Sequence, residues 1–144
     1  ADGASVELNG VRIRPFRLAE DYVYAFIFET GAARVLIAPD ELFGWDPPSD
    51  VRGVDLAVIP MGLPEFDPFT GERIIPADHP VLKSEATFRQ TLDIVRALDA
   101  GRVIMTHIEE PSRLSYDDLL RLEEALKDDG FNITFAYDTL LVEV

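Results

Sequence analysis

Phe88-Arg89-Gln90-Thr91-Leu92-Asp93-Ile94-Val95-Arg96-Ala97-Leu98, then Asp99-Ala100-Gly101, then Arg102-Val103-Ile104-Met105-Thr106-His107, changes its hydrophobic period partway along. Phe88, Leu92 and Val95 recur at i, i+4 and i+7, with Ile94 and Leu98 beside them, which predicts a helix with one apolar face. Ser84 is the expected N-cap of that helix. Gly101 punctuates the pattern, and Arg102 to Met105 is a short apolar run of strand character. A helix that feeds directly into a buried strand is the unit from which α/β domains are built.

The flanking sequence repeats the theme. Ser115-Tyr116-Asp117-Asp118 has the S-x-x-D form of a capping box, with Leu119, Leu122 and Leu126 on one face of the helix that follows. Gly130 ends that helix, and Ile133–Ala136 with Leu140–Val144 is expected to close as a last hairpin. Toward the N-terminus, Val6–Leu8 and Val11–Phe16 flank Asn9-Gly10, whose two residues both tolerate the positive φ of a type I′ turn. Tyr22–Glu29 and Arg34–Ala38 flank Thr30-Gly31-Ala32-Ala33 as a second hairpin, and Asp55–Ile59 is a buried strand stopped by Pro60. The Pro- and Gly-rich stretch from Pro60 to Pro80 is long enough to read as a site loop. With no repeat, low-complexity tract or linker, residues 1–144 are expected to form a single α/β domain. It should have one mixed, largely antiparallel sheet of about seven strands and two helices.

Composition excludes several classes of function. The 144 residues carry 13 Lys+Arg against 27 Asp+Glu, a net charge of −14, which repels nucleic acid and anionic lipid. There is no cysteine, so disulfides, iron–sulfur clusters and cysteine nucleophiles are ruled out, in keeping with a cytoplasmic location. Hydrophobic residues make up 47%, enough for a real core. The N-terminal Ala1-Asp2-Gly3-Ala4-Ser5 has no signal-peptide character, and no apolar run approaches the roughly 20 residues of a membrane span. G-x-S-x-G, P-loop and G-x-G-x-x-G motifs are all missing.

Three polar residues sit at positions suited to chemistry. Asp40 follows Val35-Leu36-Ile37-Ala38-Pro39, His107 follows Val103-Ile104-Met105-Thr106, and His79 lies in Ala77-Asp78-His79-Pro80 at the end of the long loop. Strand ends hold side chains on a rigid scaffold with one side open. A carboxylate and a neutral imidazole suit zinc, manganese or iron(II). Each also has an ordinary structural role: an Asp after a strand forms turns, and a lone His caps or hydrogen-bonds locally. Glu109-Glu110 beside His107 could support a ligand or simply be solvated charge.

Taken in order, these segments resemble the C-terminal half of the metallo-β-lactamase superfamily, on the branch of the cyclic-phosphate phosphodiesterases of the carbon–phosphorus lyase pathway. The likeness is carried by Tyr24-Ala25-Phe26-Ile27-Phe28-Glu29, Val35-Leu36-Ile37-Ala38-Pro39-Asp40, Val54-Asp55-Leu56-Ala57-Val58, His79 before a helix, Val103-Ile104-Met105-Thr106-His107 and Phe135-Ala136-Tyr137-Asp138. The resemblance implies half of an αββα sandwich. It places Asp40 on the aspartate that bridges two metal ions, His107 on the last histidine ligand, and His79 near the scissile phosphate as proton donor or phosphate contact. The implied reaction is attack by a metal-bound hydroxide on a phosphodiester or related ester, with zinc or manganese as cofactor.

The departures are equally informative. The family's H-x-H-x-D-H motif is missing, a further histidine is replaced by Leu18-Ala19-Glu20, and the last turn reads Asp138-Thr139 where Asp-Gly is usual. Two readings therefore stand. One is a metal-dependent hydrolase domain, incomplete alone, that needs its N-terminal half or a second copy of itself. The other is a non-catalytic half-fold that acts by association. Both predict an apolar sheet face too large to be left wet.

Overall fold

The computed structural model describes residues 4–108 and 110–144. Seven strands form one sheet in sequence order: β1 Val6–Leu8, β2 Val11–Arg17, β3 Tyr24–Glu29, β4 Arg34–Ile37, β5 Leu56–Pro60, β6 Arg102–Thr106 and β7 Ile133–Phe135. The β1–β2, β2–β3 and β3–β4 pairs are antiparallel, whereas β4–β5, β5–β6 and β6–β7 are parallel. The mixture is thus evenly divided, because the tight turns lie in the first half and the helical crossovers in the second.

Local chemistry explains most boundaries. Asn9 and Gly10 both take positive φ, 51° and 79°, as a primed hairpin turn requires. In the second hairpin, the Thr30 hydroxyl accepts from the Ala32 and Ala33 N–H groups at 3.2 and 3.0 Å. Helix α1 spans Phe88–Leu98 and α2 spans Tyr116–Asp128. Ser115 and Asp118 form the expected capping box on α2. The cap of α1 is not Ser84 but Thr87, which forms a capping box with Gln90. Ser84 instead closes a short 3₁₀ turn, Pro80–Lys83. The sequence offered two hydroxyl caps, and the one whose N3 residue could reciprocate prevailed. The expected closing hairpin is also corrected: β7 ends at Phe135, and residues 140–144 form no strand. Leu141 and Val144 are 84% and 60% exposed, so they bury little apolar surface that could hold a pairing.

Pairing and alternation give the sheet two distinct faces. One carries Ala25, Ile27, Leu36, Ala38, Ala57, Ile59, Val103, Met105, Ile133 and Phe135, all in the buried core. Ile94, Val95 and Leu98 of α1 and Leu122 and Leu126 of α2 pack into the same core, so both helices cover this face. The core also takes Leu42, Trp45, Val51 and Val54 from the β4–β5 connection. The opposite face is read from the register Val6↔Ile13↔Phe28↔Val35↔Leu56 and Pro15↔Phe26↔Ile37↔Val58↔Ile104. None of those residues belongs to the core cluster, although Leu56 and Ile104 are themselves buried, at 6% and 3% exposure. No helix among the described residues is long and apolar enough to cross a membrane.

Candidate metal and substrate cleft

The parallel strands deliver their carboxyl ends to one edge of the sheet, where α/β folds characteristically place ligands. A cleft of about 280 Å³ opens there, lined by Tyr22, Asp40, Glu41, Pro60, Gly62, Leu63, Ser84, Glu85 and His107. Asp40 and His107, singled out from the sequence, thus share one cleft although β5 separates their strands. Both side chains are exposed in it.

Each is held by its strand end. The Ala38 N–H donates to the Val58 carbonyl at 2.9 Å, carrying the β4–β5 ladder to within two residues of Asp40. Met61 N–H donates to the Thr106 carbonyl at 2.8 Å, and the Thr106 hydroxyl to the Ile59 carbonyl at 3.2 Å, pinning the residue before His107. His107 itself takes φ of 51°, a left-handed turn that swings the chain away from the strand at once.

Glu41 was not singled out in the sequence. One of its carboxylate oxygens accepts from the Phe43 N–H and, at 2.7 Å, from the Ala86 N–H far along the chain. It thereby ties the Asp40 turn to the segment that leads into α1. The opposite wall is stitched by backbone bonds: Leu63 N–H to the Ala86 carbonyl and Phe88 N–H to the Leu63 carbonyl, both 2.8 Å. Gly62 forms part of the floor with φ of 84°; a Cβ there would lie 2.6 Å from Thr91 Oγ1 and 2.9 Å from the Ala86 carbonyl oxygen. Only glycine fits. Tyr22, 78% exposed, stands at the rim.

His79 is exposed and is not among the residues that line the cleft. It caps the 3₁₀ turn Pro80–Lys83, its Nδ1 accepting from the Val81 N–H at 3.3 Å. That turn leads directly to Ser84 and Glu85 of the cleft wall. Glu20, in the Leu18-Ala19-Glu20 segment that stands where the resembled family has a histidine, is half-buried and also outside the lining. Glu109 lies outside the described residues, as does the side chain of Glu110. Among the described residues, no group of three or more Asp, Glu or His side chains is arranged to hold a metal ion.

No protein-family model matches the chain, and no curated protein sequence matches it significantly. Solved structures do. The fold is that of the metallo-β-lactamase proteins: the chain is similar to the metallo-β-lactamase-fold protein YhfI of Bacillus subtilis, with a TM-score of 0.65 and 15% identity over 99% of this chain and 54% of that one. It is also similar to Zn²⁺-bound PqqB of Methylobacterium extorquens (TM-score 0.59, 13% identity, 100% of this chain and 51% of that one). A diphosphatase of the PhnP family gives a TM-score of 0.58 and 20% identity over 100% of this chain and 47% of that one. The chain therefore spans about half the length of the structures it matches.

Proposed function

We propose that the cleft contributes Asp40 and His107 to the divalent-metal centre of a metal-dependent hydrolase acting on a phosphodiester or related ester. The observation that carries this reading is their convergence in one cleft at the carboxyl ends of β4 and β6. Membership of the metallo-β-lactamase fold supports it, as does the likeness to a Zn²⁺-bound protein and to a diphosphatase.

The donor set fits a zinc or manganese ion as a share of a centre rather than the whole. A carboxylate and an imidazole are suitable ligand types, while four-coordinate zinc takes at least three protein ligands. One carboxylate oxygen of Glu41 is committed to two backbone N–H groups. When bound, such an ion supplies Lewis-acid activation of water and of the ester. The chain's own residues do the remaining work: the Glu41 bridge holds the Asp40 turn in register, and the Leu63–Ala86 stitching shapes the wall against which a substrate rests. His79 is proposed as the proton donor or phosphate contact. Its Nδ1 accepts a backbone hydrogen bond, so the neutral ring carries its proton on Nε2, facing away from the turn.

Calorimetric titration of the chain with Zn²⁺ or Mn²⁺ tests the reading. The expected result is weak binding, with Kd orders of magnitude above that of a closed four-ligand site, abolished by Asp40→Asn and by His107→Ala. Tight binding that survives His107→Ala overturns the ligand assignment. A second reading, a non-catalytic half-fold acting by association, is favoured by the two-ligand donor set. It is the outcome if neither ion binds at millimolar concentration.

A further inference from the structure

We infer that the Gly62 backbone N–H is an oxyanion donor of the cleft, and that Thr91 is the positioning residue that turns it toward a bound anionic oxygen. The donor belongs to the ester-hydrolysing site proposed above, on which the inference rests. It adds a group of the chain itself that takes up charge on the ester oxygens.

Gly62 occupies the middle of that site. Val58 of β5 pairs with Ile37 of β4, and Pro60 with Thr106 of β6, so the chain leaves β5 between the strand ends that carry Asp40 and His107. All three residues line the same cleft. The peptide groups on either side of Met61–Gly62 are fixed, since Met61 N–H donates to the Thr106 carbonyl and Leu63 N–H to the Ala86 carbonyl, both at 2.8 Å. The Met61–Gly62 peptide between them is not. Among the described residues, neither the Met61 carbonyl nor the Gly62 N–H has a hydrogen-bond partner.

Behind this peptide lies a second unpaired group. Thr91 of α1 is fully buried, and its Oγ1 has no hydrogen-bond partner among the described residues. A buried hydroxyl in that state is costly and calls for a reason. A Cβ on Gly62 would lie 2.6 Å from that oxygen, so the Gly62 Cα, one bond further back, is within roughly 4 Å of it.

One rotation of the Met61–Gly62 peptide satisfies both groups. With the Met61 carbonyl turned toward α1, the Thr91 hydroxyl donates to it. The C=O and N–H of a trans peptide point in opposite directions, so the Gly62 N–H then points away from α1 and into the cleft. Glycine alone passes freely between a φ of 84° and the negative values that such a rotation needs. No lysine or arginine lines the cleft among the described residues, which leaves an anionic oxygen there to a backbone donor of the kind that stabilises developing charge.

Titration of the Zn²⁺-loaded chain with dimethyl phosphate, an unreactive diester, tests the assignment by NMR. The Gly62 amide proton should move downfield to saturation. Thr91→Val keeps the shape but removes the hydroxyl, and should weaken binding about fivefold, the worth of one hydrogen bond. It should also suppress the Gly62 shift without lowering the urea midpoint, and Thr91→Ser should restore both binding and shift. Equal binding and an equal shift in Thr91→Val overturn the inference. So does a lowered midpoint that Thr91→Ser reverses, because the hydroxyl is then already bonded in the unliganded chain. The titration is repeated without metal. A Gly62 shift there upholds the inference even if Asp40 and His107 fail as ligands, whereas a chain that binds Zn²⁺ through them with Gly62 silent fails the inference alone. Silence in both states overturns it.

Discussion

Gly62 makes the strictest demand of any cleft residue. Its φ of 84° and the 2.6 Å approach of Thr91 Oγ1 leave no room for a methyl group, and Thr91 is fully buried on α1. Gly62→Ala should therefore cost roughly 2 kcal/mol or more, combining backbone strain with overpacking against a wall that cannot retreat. Urea denaturation measures it, and an unchanged midpoint would show that the α1 contact yields freely. Glu41 is the complementary case, a half-buried carboxylate that spans two segments. Glu41→Gln keeps an acceptor for the Phe43 and Ala86 N–H groups and should retain most of the stability, whereas Glu41→Ala leaves both donors to find water. The expected loss for alanine is about 1–3 kcal/mol. If glutamine and alanine destabilise equally, the charge rather than the bridge is what matters. In the sequence, Asp40 and His107 were legible because each ends an apolar strand. Glu41 was not, since nothing in Asp40-Glu41 says that its partner is Ala86.

The helices are governed by their first turns. In α2, the Ser115 side chain and backbone donate to Asp118, and those bonds, hydroxyl first, lower its carboxyl below the ordinary aspartate value. In the loop, Asp67 is lowered in the same sense by the Thr70 and then the Phe69 backbone N–H. A carboxyl lowered in the folded state adds stability above its unfolded pKa of about 3.9, and that contribution is lost as pH falls through the folded value. Asp118→Asn should therefore lower the urea midpoint near neutral pH and leave it nearly unchanged in strong acid. A deficit of equal size at both ends would remove the linkage. Ser115→Ala should cost about 1 kcal/mol through the lost cap, read from the same transition. The α2 cap was plain in Ser115-x-x-Asp118. The α1 cap was misplaced because Ser84 and Thr87 both precede the apolar face, and the Gln90 reciprocation decides between them.

The molecule as a whole is an acidic layer with one face packed and one face apolar. Twenty-seven acidic against 13 basic side chains repel one another across a small body. The ion pairs that offset this are mostly at the surface, such as Arg14–Asp50 at 3.0 Å and Arg96–Asp93 at 3.1 Å. Raising the ionic strength from about 0.01 to 0.5 M should then increase stability, because screening relieves more repulsion than it removes attraction. A urea midpoint that falls with salt would mean that specific ion pairs dominate.

Hydrophobic period, capping boxes and turn residues indicated by themselves an α/β chain with a mixed sheet of about seven strands and two helices. They did not indicate that half of the strand pairs are parallel or that residues 140–144 add no strand. Such signals are short-range: a Gly10 at positive φ or a Ser115 cap needs only its neighbours. The same patterning marked β3, β4 and β5 as apolar on both sides, and so implied a face in need of cover. Tertiary structure alone decided which residues meet. It brought Asp40 and His107 together across β5, bound Glu41 to Ala86, closed the floor with Gly62 against Thr91, set His79 on a neighbouring turn, and left residues 140–144 unpaired. Those outcomes depend on strand order and on how two helices press one sheet face, and no local period in a sequence encodes contacts between residues so far apart along it.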